Sequence, residues 1–163
     1  MSKQLPLLQE GKPPKTYVPV YRVMLVREGQ MPSTEQRLRC SADAARLLWA
    51  YLDGVDREHF VIVLLDQKNQ VIGINTVSMG SLTASVVHPR EVFKPAILAN
   101  AATLICGHNH PSGDTVPSQE DRLITTRLVS AGKLLGINVV DHIIISSAGK
   151  YFSFADEGLL GAE

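Results

Sequence analysis

The stretch from Phe60 to Val77 constrains the fold of this sequence more than any other. Phe60-Val61-Ile62-Val63-Leu64-Leu65 is a continuous apolar run, short enough for a buried strand and too short for a helix of ordinary length. Asp66-Gln67-Lys68-Asn69 follows as a four-residue turn, and a second β-rich run extends from Val71 to Val77. Two such runs around a polar turn predict a β-hairpin. The rest of the chain has to supply what buries it.

Helical patterns lie on both sides. Ser41 is a plausible N-cap for a helix over 42–53, in which Leu47/Tyr51 and Leu48/Leu52 stand four apart before Gly54 ends it. Pro89 suits the first turn of a helix running to about Asn100. A third helix starts at Ser118, carries Ile124, Leu128, Ala131 and Leu135 as its apolar stripe, and stops at Gly136. Further strands are predicted over Tyr17–Val26 (an edge strand, because of Pro19), Ala84–His88, Thr103–Cys106, Val139–Ser146 and Tyr151–Phe154. Strands interleaved with helices argue for an α/β fold, a single mixed sheet flanked by helices. Residues 1–16, rich in Pro, Gly, Lys and Gln, read as an N-terminal arm, and 17–163 as one domain.

A chain of 163 residues can bury a good core without disulfides or a metal, so a bound ion need not be structural. The 16 Lys+Arg and 16 Asp+Glu cancel, whereas a dedicated nucleic-acid binder usually carries a basic excess. DNA is therefore not an expected partner. Cys40 and Cys106 form no disulfide framework, the first residues lack the apolar core of a secretion signal, and no apolar run approaches ~18 residues. A soluble protein of the reducing cytoplasm, with no membrane partner, is expected.

The chemistry concentrates at His108, His110 and Asp121. In extended chain, residues two apart share a face, so both imidazoles project the same way from a strand end. Asp121 falls in the first turn of the third helix, three residues before Ile124, on the side that faces inward. Two imidazoles and one carboxylate leave a tetrahedral zinc one open position for water, the arrangement of a catalytic site. Ser118 and Asp121 also spell a helix-capping pattern, which is compatible with a site role for both. Cys106 shares the parity of the histidines, yet in a continued strand it would lie about 13 Å from His110. It is expected in the core.

His108-Asn109-His110-Pro111-Ser112-Gly113-Asp114, followed by Pro117-Ser118 and Asp121, resembles the RadC family, a bacterial branch of the JAMM/MPN+ metalloproteases. Pro89-Arg90-Glu91-Val92-Phe93, Leu134-Leu135-Gly136-Ile137 and Asp141-His142-Ile143-Ile144 agree with it, and the resemblance covers about residues 41–155. It implies a single MPN/JAMM-like domain of cytidine-deaminase-like architecture. It also implies Zn2+ on His108, His110 and Asp121, with Ser118 stabilising an oxyanion. The family's general base is an upstream glutamate, which the resemblance carries to Glu58, with Glu91 as the rival. The implied reaction is hydrolysis of a peptide or isopeptide amide, so a protein or peptide is the implied substrate.

Full-length members carry an N-terminal helix-hairpin-helix module, in whose place this sequence has about 40 residues of arm and strand. Short forms of this kind resemble those of phages, plasmids and genomic islands. Two rival readings are a DNA repair or recombination factor, the label the family has carried, and a non-catalytic MPN scaffold. Asp141-His142 opens an apolar run in which neighbours face opposite sides, so a supporting role is expected there rather than ligation.

Overall fold

The computed structural model describes residues 18–33, 36–80 and 87–161. Eight elements follow in the order α1 Ser41–Tyr51, β1 His59–Leu65, β2 Val71–Met79, α2 Pro89–Leu98, β3 Thr103–His110, α3 Gln119–Leu135, β4 Asn138–Ser146 and β5 Tyr151–Ser153. The five strands form one sheet in the order β2-β1-β3-β4-β5. β1 pairs antiparallel with both β2 and β3, β3 runs parallel to β4, and β5 returns antiparallel to β4. This is the mixed α/β sheet expected, and the hairpin β1–β2 forms where the sequence placed it. Asn69 closes its turn at φ 59, a left-handed conformation that Asn tolerates better than most residues.

The apolar run of β1 is explained by helices on both faces. Phe60, Ile62 and Leu64 join Leu104, Cys106, Val92, Phe93, Ile124 and Leu128 in one core, beneath α2 and α3. Val61, Val63 and Leu65 join Leu47, Leu48, Ile105, Ile143 and Ile145 in a second core, beneath α1. A strand covered on both faces has no solvent side to mark with polar residues. α1 rests close on β3 at Gly107, where an added Cβ would lie 2.6 Å from Leu48 Cδ1.

The parallel pair β3–β4 requires a crossover, and α3 provides it. Gly136 ends α3 in the left-handed conformation, φ 72, and turns the chain into β4. The buried stripe of α3 is Asp121, Ile124, Thr125, Leu128, Val129 and Gly132. Leu135, expected in the core, is half exposed. At Gly132 an added Cβ would meet the Ile137 carbonyl oxygen at 2.5 Å, so the last turn of α3 leans on backbone rather than on a leucine.

Three sequence expectations need correction. Residues 18–26 form no strand; Val20 is 89% exposed, and Val18, Tyr21, Val23 and Val26 are exposed too. Their β-propensity is a fitness for a half-buried pleated surface, and without a ladder partner it produces none. In the Ala84–His88 stretch, residues 84–86 lie outside the described ones, while His88 is the N-cap of α2. Ser41 is the first residue of α1 and Cys40 occupies the N-cap. The arm at 1–16 also lies outside the described residues.

Candidate metal centre

β3 does not stop at Cys106. It continues through His110, so that Cys106, His108 and His110 share one face of the sheet at its carboxyl end. That face lies under α3, whose first turn carries Asp121. Ser118 is the N-cap of α3: its Oγ accepts from the Asp121 backbone N–H at 3.1 Å, and the Asp121 carboxylate accepts from the Ser118 N–H at 2.8 Å. The Ser118 hydroxyl donates to the same carboxylate oxygen at 2.7 Å. The capping pattern and the site position of Ser118 and Asp121 are thus one structure. The cap fixes the carboxylate, and the helix start aims it at the histidines.

His108 Nε2 lies 2.9 Å from His110 Nε2. Asp121 Oδ1 lies 3.2 Å from His108 Nε2 and Oδ2 3.5 Å from His110 Nε2. Tetrahedral zinc with bonds of about 2.0–2.1 Å spaces its ligand atoms about 3.3 Å apart. The donor set and its spacing therefore fit that ion. His108 is fully buried, Asp121 nearly so, and His110 lies at the rim.

The electrostatics follow from the same contacts. Burial pushes the Asp121 carboxyl upward, but the His108 and His110 imidazoles and the Ser118 hydroxyl beside it overturn this and hold the group far below the usual carboxylate range. The Asp121 carboxylate raises the proton affinity of His110; partial burial opposes this, and the Asp114 carbonyl and the Glu58 charge add to it. A cluster that attracts protons in this way attracts a divalent cation by the same field.

Glu58 precedes β1 directly, and its charge acts on His110. Its backbone is gripped from β3. Asn109, pointing away from the histidine face, accepts from the His59 N–H at 2.8 Å and donates to the Arg57 carbonyl at 3.0 Å. Its side-chain amide thus brackets Glu58 on both sides. Glu91 is placed differently, at the exposed start of α2, with Lys94 and Arg90 against its carboxylate. Cys106 is in the core with no exposed surface, where burial pushes its thiol pKa far upward. It is inert there.

A model of the RadC-like JAB domain matches residues 38–159. The chain belongs to the RadC family. A UPF0758 protein of Rubrobacter xylanophilus is 52% identical over 119 residues, which cover 73% of this chain and 52% of that protein. One from Desulforamulus reducens is 49% identical over 135 residues, covering 82% of this chain and 59% of the relative. One from Methanosarcina acetivorans is 49% identical over 126 residues, covering 77% and 55%. The chain spans about half the length of these curated relatives. Among the described residues one sheet and three helices make up the fold, as in a single JAB/MPN-like domain, and no helix there is long and apolar enough to cross a membrane.

Two residues that bear on this RadC-like site escaped the sequence reading. Asn109 stands between two histidines with no local sign of a role, because its partners, His59 and Arg57, depend on how β1 registers against β3. Thr125 looks in the sequence like one more polar residue of α3, although it lies on the buried stripe. Its spacing, four residues after Asp121 and therefore on the same helix face, was a usable signal.

Proposed function

We propose that this domain is a zinc-dependent hydrolase of the JAMM/MPN+ type, acting on a peptide or isopeptide amide of a protein or peptide substrate. One observation carries the reading: His108, His110 and Asp121 bring three donor atoms within 4.8 Å of one another, at a sheet end roofed by a helix N-terminus. Three protein ligands leave a tetrahedral ion one position free. The chemistry zinc supplies when bound there is Lewis acidity toward a carbonyl oxygen and acidification of a water.

The remaining work falls to the chain. Glu58, whose charge acts on His110, is the general base that takes a proton from the attacking water and returns it to the leaving amine. The Ser118 hydroxyl, which rests on the Asp121 carboxylate, turns its one proton from that carboxylate to the oxyanion as it develops. The family resemblance supplies the amide as the bond. The balanced charge of the chain offers a polyanion such as DNA little to bind.

The test begins with metal analysis of protein purified without a histidine tag, followed by zinc titration. About one zinc per wild-type chain is expected. His110→Ala should lose the metal and stay folded, because His110 lies at the rim of a core that does not need the ion. A wild-type chain that holds no divalent metal and takes up no zinc overturns the reading.

A further inference from the structure

His110 and His108 have their second ring nitrogens held in different ways. His110 Nδ1 lies 2.7 Å from the Asp114 carbonyl oxygen. A carbonyl can only accept, so Nδ1 carries the proton, and the lone pair of Nε2 is left for a cation. This is the ordinary way a ligating imidazole is oriented. His108 has no carbonyl at its Nδ1. It meets another imidazole, His142 Nε2, at 2.9 Å. An imidazole accepts or donates with equal ease, so this contact alone does not say which nitrogen of His108 bears the proton.

The answer lies two bonds further on. His142 Nδ1 is 2.6 Å from Thr125 Oγ1, and Thr125 Oγ1 donates to the Asp121 backbone carbonyl at 2.6 Å. A hydroxyl has one proton, and here the carbonyl takes it. Thr125 therefore faces His142 with a lone pair, and His142 Nδ1 is the donor. His142 is fully buried, with Phe154 stacked on one side at 4.9 Å and Phe60 edge-on at 5.4 Å. A neutral ring in that apolar sandwich, donating from Nδ1, accepts at Nε2. His108 must then donate from Nδ1, which leaves the lone pair of its Nε2 facing His110 and Asp121.

We propose that Thr125 and His142 are positioning residues that set the tautomer of His108, so that the Asp121 backbone carbonyl dictates, through them, which nitrogen His108 presents to the metal. The inference rests on reading His108 as a zinc ligand. Asp121 then serves the site twice, with its carboxylate as ligand and its carbonyl as the origin of the relay. Breaking the relay lets His108 populate the wrong tautomer, and zinc must reverse it on binding.

The test uses the whole chain and zinc alone. In metal-free wild-type protein labelled with 15N-histidine, long-range proton–nitrogen spectra should show His108 protonated on Nδ1 and His142 likewise. Thr125→Val keeps the shape and removes the hydroxyl. It should weaken zinc binding about 10–100-fold, the range typical of partners behind a metal ligand. Thr125→Ser restores the hydroxyl and should bind within about threefold of wild type by the same logic. Wild-type zinc affinity in Thr125→Val, or a His108 Nδ1 that carries no proton in the wild-type spectrum, overturns the relay. If Thr125→Val does not fold, the wild-type spectrum decides alone. If wild type takes up no zinc while the spectrum shows the expected tautomers, the relay stands and the metal reading falls.

Discussion

The two halves of β3 occupy one strand, pair with the same neighbours and are about equally buried, yet they are held by opposite means. Leu104, Ile105 and Cys106 are apolar and packed between the helical layers. His108 and Asn109 are buried polar groups: His108 Nδ1 meets His142, and the Asn109 amide bonds the His59 N–H and the Arg57 carbonyl. Burying a Leu removes apolar area from water, worth about 1.5–3 kcal/mol. Burying an imidazole or an amide costs free energy unless its hydrogen bonds are rebuilt inside. The first half of β3 should therefore set stability, and the second half should set function while contributing little net stability.

The strongest test of the functional half is Glu58→Gln, in the segment that Asn109 brackets, which keeps shape and hydrogen bonding but removes the carboxylate proposed as general base. The rate on any amide that wild type cleaves should fall about 10²–10⁴-fold, with zinc content and the urea midpoint unchanged. Loss of metal in Glu58→Gln would make it a ligand, and unchanged turnover would remove it from the mechanism.

Leu104→Ala is the complementary change. It should cost about 2–5 kcal/mol in urea unfolding while zinc affinity at saturating folding conditions stays at the wild-type value. A comparable loss of zinc affinity would show that the two halves of β3 are energetically one unit.

The smallest effect sharpens the boundary between them. Asn109→Ala strands the His59 N–H and the Arg57 carbonyl and should lower stability by about 1–3 kcal/mol. Zinc binding should persist, because Asn109 touches neither imidazole ring, but turnover should fall as the Glu58 segment loosens. A drop in stability with unaltered turnover would reduce Asn109 to a structural bracket with no part in placing Glu58.

The expectations that failed and those that held differ in kind. The hairpin at Phe60–Val77 and the start and stop of α3 at Ser118 and Gly136 were legible because their causes are local: turn residues, capping atoms and a left-handed glycine. The grouping of His108, His110 and Asp121 was legible too, since strand parity and the first turn of a helix fix direction within a few residues. The strand at 17–26 failed because a strand needs an edge to pair with, and propensity says nothing of whether one is available.

The sequence by itself determined the alternation of strands and helices, the hairpin and the inward aim of the three donor side chains, because each follows from bonds and dihedrals within one segment. Only the tertiary structure decided what stands behind those side chains. Asn109 grips the Glu58 segment across 50 residues of chain, and His142 reaches His108 across 34. Both contacts exist because β1 and β4 flank β3 in a particular register, Phe60 opposite His108 and His142 opposite Cys106. Register is a property of the packed sheet, chosen by which apolar faces find cover, and no local pattern in a single strand carries it.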